Sequence, residues 1–561
     1  MREKLRGWIV ACAVAIGAGL VLGAGYGAAL AQDGGTPPPE PFEGQPLPTD
    51  KGAYFAGSGA CASCHTNMTD ESGADVSIDA FWRATMMANA ARDPYWLASV
   101  RVETLGAPQL KDVIEDKCTT CHMPMARTTV AVIDEAAGLL FESGFASPDH
   151  PHHALANDGV SCTLCHQIEP EGLGEMASFS GGFTIDTERP ADERPAYNRF
   201  AGNPDLSAVM QNASGFVPEQ REHITQAALC ASCHTLHTPY LDASGAIAGE
   251  FPEQTPYFEW LHSQYAESTP CQGCHMPTAE GGVVTSVVGG EPRSPFAKHV
   301  FVGGNAYLLS IFRAFGDDLN LTASSEHVEA THARTLDQLQ NRAASLALEN
   351  LGYAGSQVTA NVVVQNLAGH KLPTGFPSRR AWLHVVIEDA AGNVVFESGG
   401  YDEQGRITDD DHDADPARFE PHRKVISQPG EVQIYESVMV DTEGNVTNIL
   451  LRGSGYIKDN RLLPVGFDKA TAADDIGVDE LALEDANFTS GGDRVMYSIN
   501  VGDAAGPFTI RAELLYQSIG YNWAEKLRAF ATDESAAFLA YVDAVPNVPV
   551  VVASTSATVG G

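Results

Sequence analysis

Ten of the eleven cysteines fall in one repeated string, Cys-x-x-Cys-His. Its five copies are Cys61-Ala-Ser-Cys64-His65, Cys118-Thr-Thr-Cys121-His122, Cys162-Thr-Leu-Cys165-His166, Cys230-Ala-Ser-Cys233-His234 and Cys271-Gln-Gly-Cys274-His275. Two thiols at this spacing can bond the two vinyl groups of one porphyrin, and the imidazole that follows can ligate its iron. Composition alone would produce on the order of 0.01 such strings in a chain this long, so five are not accidental. Zinc sites and redox dithiols also use Cys-x-x-Cys, but they do not demand His after every second Cys. The strings predict five covalent c-type haems, with no cysteine pair left over for a disulfide.

A second axial ligand for each iron must come from elsewhere, and 18 histidines supply more than enough. His153 precedes the third motif, His223 precedes the fourth, and His299 follows the fifth, so these three are the leading distal candidates, ahead of His150, His152, His237 and His262. His370 lies in the Gly/Pro-bounded loop Gly369-His370-Lys371-Leu372-Pro373-Thr374-Gly375. Such a loop could offer its imidazole to the last iron and its ammonium to propionates. Met87, in Trp82-Arg-Ala-Thr-Met86-Met87-Ala88, carries a thioether that could ligate iron and raise its potential, or could simply pack. His327 and His332 are expected to face solvent. No motif ends in Lys, which disfavours a pentahaem nitrite reductase with a lysine-ligated catalytic haem.

Flanking residues repeat as well. Motifs one and four share Cys-Ala-Ser-Cys-His-Thr, and motifs two and five share Cys-His-Met-Pro. This predicts a row of five haems with a similar pair at each end, the first with the second and the fourth with the fifth.

The elements that must hold these groups come in two textures. From 51 to 310 the chain carries every motif but few long apolar runs, and short amphipathic pieces such as 78–91 end at Asp93-Pro94. Such a segment lacks the aliphatic core to fold alone, so the porphyrins themselves must fill it. Leu336, Leu339, Ala343 and Leu346 recur at helical steps, predicting a connecting helix over 326–352. From 356 to 520, period-two runs such as Val358–Val364, Ala381–Ile387, Val495–Ile499 and Phe508–Leu514 predict an antiparallel sandwich. C-terminal helices over 521–543 and a Pro/Val/Ser-rich tail over 544–561 complete the chain. The expected fold class is mixed: a mainly helical and irregular multihaem region followed by an all-β sandwich-like domain.

Residues 1–31 carry Arg2, Lys4 and Arg6, then an uncharged stretch ending Ala29-Leu30-Ala31. This reads as a secretory leader, with the periplasm or cell exterior as destination. Left uncleaved, the stretch is long enough to span a bilayer, and Cys12 faintly resembles a lipoprotein site. Residues 32–50 are Pro/Gly-rich and read as a flexible lead. The formal charge of −38 argues against nucleic acid as a partner and for redox proteins with a basic docking face. Asp409 to Asp415 clusters carboxylates as a calcium loop would, but lacks the Gly and final Glu of an EF-hand, so it reads as a solvated loop. No nucleophile elbow, phosphate-binding Gly loop or dinucleotide fingerprint is present.

Together these residues resemble the secreted multihaem c-type cytochromes of the cytochrome c-552/4 (cytochrome c-554-like) kind. The likeness rests on Phe81-Trp82 through Trp96, the five motifs, the stretch Asn366 through Val385, and Lys458-Asp-Asn-Arg-Leu-Leu-Pro464. Members often carry Trp-x-x-Ser-x-His-Ala, with that His a distal ligand, where this chain has Trp82 to Ala88. The resemblance then implies that Met87 either ligates one iron or leaves it open, and it implies electron transfer. Three functions follow as expectations: an electron carrier, an oxidoreductase acting on a small nitrogen or sulfur species at one open iron, and a subunit of an extracellular cytochrome filament, with the β-domain or tail as assembly module.

Overall fold

The fold was obtained as a computed structural model that describes residues 41–133 and 139–560. The expected leader at 1–31 and the first part of the lead at 32–40 lie outside the described residues. Pro41 to the C-terminus forms one unit. Among the described residues no helix is long and apolar enough to cross a membrane.

Two regions divide the apolar packing unequally, as the textures predicted. Four strands in the first region make two small sheets: β1 (Arg194–Asn198) runs parallel to β2 (Phe216–Gln220), and β3 (Leu236–Leu241) pairs antiparallel with β4 (Ile247–Gln254). Around them, short helices carry the motifs, and the apolar packing breaks into small clusters. The second region builds two sheets. One has the order β5 (Ala344–Ala354), β6 (Gln357–Asn366), β13 (Gly492–Asn500), β9 (Val425–Ile426). The other has β10 (Ile434–Tyr435), β7 (Arg380–Glu388), β14 (Phe508–Gln517), β15 (Val550–Val559), with β8 (Val394–Ser398) also on β7. A hairpin-like pair, β11 (Ser437–Val440) and β12 (Gly455–Asp459), stands apart. Alternate residues of four central strands point into one shared core: Val358, Ala360, Val362 and Val364 of β6, Val495 and Tyr497 of β13, Leu383 and Val385 of β7, and Ile510 and Leu514 of β14. The pairing is antiparallel except for β13 with β9.

Several expectations need correction. The connecting helix spans only Ser325–Gln338, then opens through a widened turn at Leu339–Ala343 into β5. Leu346 satisfies both a helical step from Leu339 and the alternation of a strand, and pairing with β6 decides the outcome. The tail is not loose: β15 pairs along nearly all of β14. Nor is the end of the 32–50 lead, where Phe42 is buried against Leu309, Phe312 and Leu321, and Gln45 donates its backbone N–H to Leu321. Asp93-Pro94 opens a helix, Pro94–Gly106, whose Tyr95 and Trp96 N–H groups donate to the Asp93 carboxylate at 2.9 and 3.1 Å. The acidic run at 409–415 is neither a calcium loop nor simply solvated. Asp413 grips the buried Arg380 guanidinium with both oxygens at 2.8 Å, and Asp410 adds a contact at 3.3 Å. His327 and His332 are half-buried, bonded to Ser324 and Ser310.

Lys371 also departs from expectation. Its ammonium is fully buried and donates to Asp459 at 2.7 Å and to the Gly477 carbonyl at 2.6 Å, so it faces no propionate. Arg461 bridges Asp459 at 2.6 Å to Glu259 at 2.8 Å, while Glu259 takes N–H and O–H bonds from Lys371 and Thr374. This network ties the loop after β6 to the stretch after β12 and to the helix Pro256–Leu261 of the first region. Within this chain the stretches around 371 and 458–464 hold one another.

Truncation before Val550 should leave β14 as an open edge, and loss of soluble protein or a lower melting temperature would register it. Asp459→Asn leaves Lys371 and Arg461 buried without their shared anion and should cost roughly 3–5 kcal/mol in denaturant unfolding. Burial alone would raise the Asp459 carboxyl, but Arg461 and Lys371 hold it down at about 2. Its stabilisation is therefore complete above the unfolded value of about 3.9 and is lost as pH falls toward 2. In Asp459→Asn this increment of acid destabilisation should disappear.

Candidate cofactor sites

All ten motif cysteines and all five motif histidines line one continuous cavity of about 1620 Å³. An ordinary ligand cleft holds roughly 300–1,000 Å³. The ten thiols are unbridged.

Each motif ends a short helix and places its imidazole inward. Main-chain carbonyls then fix four of the five rings from behind. His65 Nδ1–H donates to Thr285 at 2.6 Å, His122 to Ala90 at 3.0 Å, His166 to Tyr197 at 2.6 Å and His275 to Val302 at 2.5 Å. A carbonyl can only accept, so Nδ1 carries the proton and Nε2 keeps a lone pair for a metal. Burial pushes His122 and His234 down to about 4 and also lowers His65 and His166, which keeps these rings neutral and able to ligate.

Two motif histidines meet a second imidazole. His299 lies opposite His166 with ring centres 6.4 Å apart and planes 17° from parallel; His370 lies opposite His275 at 6.3 Å and 14°. One metal bridging two imidazoles at roughly 2.0–2.1 Å, with ring centres about 1.1 Å beyond each nitrogen, spaces them by about 6 Å. Both added histidines use Nδ1 on a carbonyl, His299 on Ala297 at 3.1 Å and His370 on Lys371 at 2.8 Å. Each pair therefore fits an iron between its Nε2 atoms. The remaining histidine candidates are placed differently. His153 does not line the cavity, and its nitrogens are taken by Phe145 O and the Asn157 amide at 2.8 and 2.9 Å. His223 lies behind the wall, donating Nε2–H to Ile168 at 2.9 Å, with Nδ1 buried and without a partner among the described residues. Met87 reaches the wall beside the third motif, where its carbonyl accepts from Val160 at 3.0 Å, but no imidazole stacks opposite it. Instead of a second imidazole, His122 carries Trp96 stacked at 4.1 Å and 3°.

The motifs associate out of chain order. The Cys61 thiol lies against that of Cys162, Cys121 against Cys233, and Cys230 against Cys271. Fourth and fifth motifs thus neighbour each other as expected, but the first sits with the third and the second with the fourth, which corrects the expected row. Buried bonds cause this. Ser58, just ahead of the first motif, donates N–H and O–H to Asp158 at 2.8 and 2.6 Å, and Thr163 within the third donates to Ala56 at 2.8 Å. Between the second and fourth motifs runs Gly181, at φ +79°. Its N–H donates to Ser232 at 2.7 Å, and a Cβ there would strike Thr120.

The rest of the wall fits a large, mostly apolar group with polar edges. Gln167, Gln272 and Ser518 line it, each with a buried side-chain oxygen that has no hydrogen-bond partner among the described residues. Elsewhere, His422, Asp485 and Asp493 bring ligand atoms within 4.8 Å of one another. Both nitrogens of His422 are already used: the amides of Gln433 and Asn460 donate to Nδ1, and Nε2–H donates to Asp485 at 3.1 Å.

No family model matches the sequence, and no curated protein matches it. Among solved structures the chain is similar to a penta-heme cytochrome c552 from Thermochromatium tepidum. The two share 17% identity over 91% of this chain and 100% of that one, with a TM-score of 0.50, a likeness of fold.

Proposed function

We propose that the chain is a pentahaem c-type cytochrome that passes single electrons between redox partners outside the cytoplasm. One observation carries this reading: five Cys-x-x-Cys-His motifs, scattered over more than two hundred residues, converge on one cavity that the polypeptide does not fill. Covalent haems supply the redox chemistry. The chain's own part is to fix each ring's tautomer, to exclude water and to hold neighbouring sites in contact. Since Cys61 meets Cys162, Cys165 faces Cys230, and the fourth motif touches both the second and the fifth, the fourth is the junction of the relay. The solved pentahaem relative supports the same class of cofactor. An acidic chain of this charge favours partners with basic docking faces.

A second reading has one specific support. Among the described residues, His65, His122 and His234 have no parallel imidazole at the spacing seen for the other two. An iron held there without a sixth ligand could act on a small nitrogen or sulfur species.

Purified mature protein should show a Soret band and an intact mass above the polypeptide by five haems. A colourless product would sink both readings. His299→Ala and His370→Ala should each convert one low-spin haem to high spin by low-temperature electron paramagnetic resonance, leaving five haems bound. Fully low-spin wild type, with no spectral shift on adding nitrite, hydroxylamine or cyanide, would reject the second reading.

A further inference from the structure

The wall beside the second motif holds an uncommon concentration of buried charge. Glu103 from the helix Pro94–Gly106, Glu253 from β4 and Lys526 from the C-terminal helices all line the cavity. Both carboxylates bear on Cys118, and Glu253 bears on Cys121 as well, so Glu253 overlooks both attachment thiols of this motif.

The two carboxylates are not equivalent. Glu103 accepts backbone N–H bonds from Leu450 at 2.7 Å and Leu451 at 3.3 Å, and it is the carboxylate that faces the Lys526 ammonium. Burial raises Glu103 as well, but the ammonium and the two N–H donors oppose that rise and fix the carboxylate in place. Glu253 accepts from the Thr238 hydroxyl at 2.6 Å, and among the described residues no Lys or Arg lies within ion-pair distance of it. The groups that face it are Thr238 from β3, Gln254 on its own strand, Glu103, Cys118 and Cys121 from the two preceding helices, and Tyr456 from β12. None is a cation. A buried carboxylate so placed has one inexpensive way to answer extra negative charge nearby, which is to take up a proton.

We propose that Glu253 is a proton-uptake site coupled to reduction at the second motif, so that the protein moves protons along with electrons at this point of the relay. The inference rests on the haem reading above. When a one-electron donor reduces the iron held by His122, the site gains one negative charge. The Glu253 carboxylate then takes one proton from solvent, becomes a neutral acid, and the charge is restored. The Thr238 hydroxyl, which donates to the carboxylate at 2.6 Å, is able to turn and accept from the acid. Burial already pushes Glu253 up to about 7, so the exchange falls in the neutral range. The other carboxylate and the lysine set the background: Lys526 is brought down to about 8 by burial and is held partly by Glu103, leaving Glu253 as the unmatched group.

Optical redox titration of the holoprotein at pH 6, 7 and 8 tests this. One haem should have a midpoint potential that falls as pH rises, approaching about 59 mV per unit, the one-electron value for a tenfold change. Glu253→Gln should flatten that slope and leave the other haems alone, while Glu103→Gln should keep it. Redox-difference infrared spectroscopy of unmodified protein gives a second measure, since reduction should produce a protonated-carboxyl band. A slope that survives Glu253→Gln, a slope abolished by Glu103→Gln instead, or no carboxyl band on reduction would overturn the proposal with five haems still present. Absence of haem would overturn the underlying reading instead.

Discussion

A neutral imidazole offers a metal one lone pair, and it does so reliably only when its other nitrogen is already committed. That constraint organises the first half of this chain. Thr285, Ala90, Tyr197, Val302, Ala297 and Lys371 each contribute a carbonyl to a ring nitrogen, and burial favours the neutral form of His65, His122, His166, His299 and His370. Because the acceptors are main-chain atoms, and for the four motif rings lie 27 to 220 residues away, the short helices, β-bridges and turns of this region have to be placed to within a hydrogen bond's length of those rings. The region spends its secondary structure on that task and leaves a cavity where another protein would have an aliphatic core.

This division determines what could be known from residues alone. The motif cysteines and histidines were legible because one string, Cys-x-x-Cys-His, repeats five times with residue type and spacing fixed together, and all five copies line one cavity. His299 and His370 were legible as candidates through their position, yet nothing in the sequence separates them from His153, whose nitrogens are taken by Phe145 and Asn157. The carbonyl partners left no trace, since any residue supplies a carbonyl. Order in space was misjudged for a related reason: repeated flanks suggested consecutive pairs, whereas Asp158 and Gly181, unremarkable in sequence, bring the first motif to the third and the second to the fourth. In the second half, alternation identified the central strands well. It missed β5, where the helical and strand periods coincide on Leu346, and β15, whose small and polar residues carry little apolar signal.

Besides an apolar cluster in which Tyr95, Phe251 and Tyr307 meet Met439, Trp523 and Phe538, the two halves share a buried charge network. Lys371, Asp459, Arg461 and Glu259 alternate in sign across the junction, each nearly or wholly buried. Buried ion pairs are poor sources of net stability, because desolvation consumes much of their attraction, but a broken one is costly. They therefore discriminate between arrangements. The residue they locate is His370, one position before Lys371, whose ring stands 6.3 Å from that of His275 and nearly parallel to it. An apolar contact would tolerate sliding of the loop. A lysine and an arginine sharing one carboxylate, with the arginine reaching on to Glu259, do not, and so the second half of the chain can supply a ring to a site built by the first.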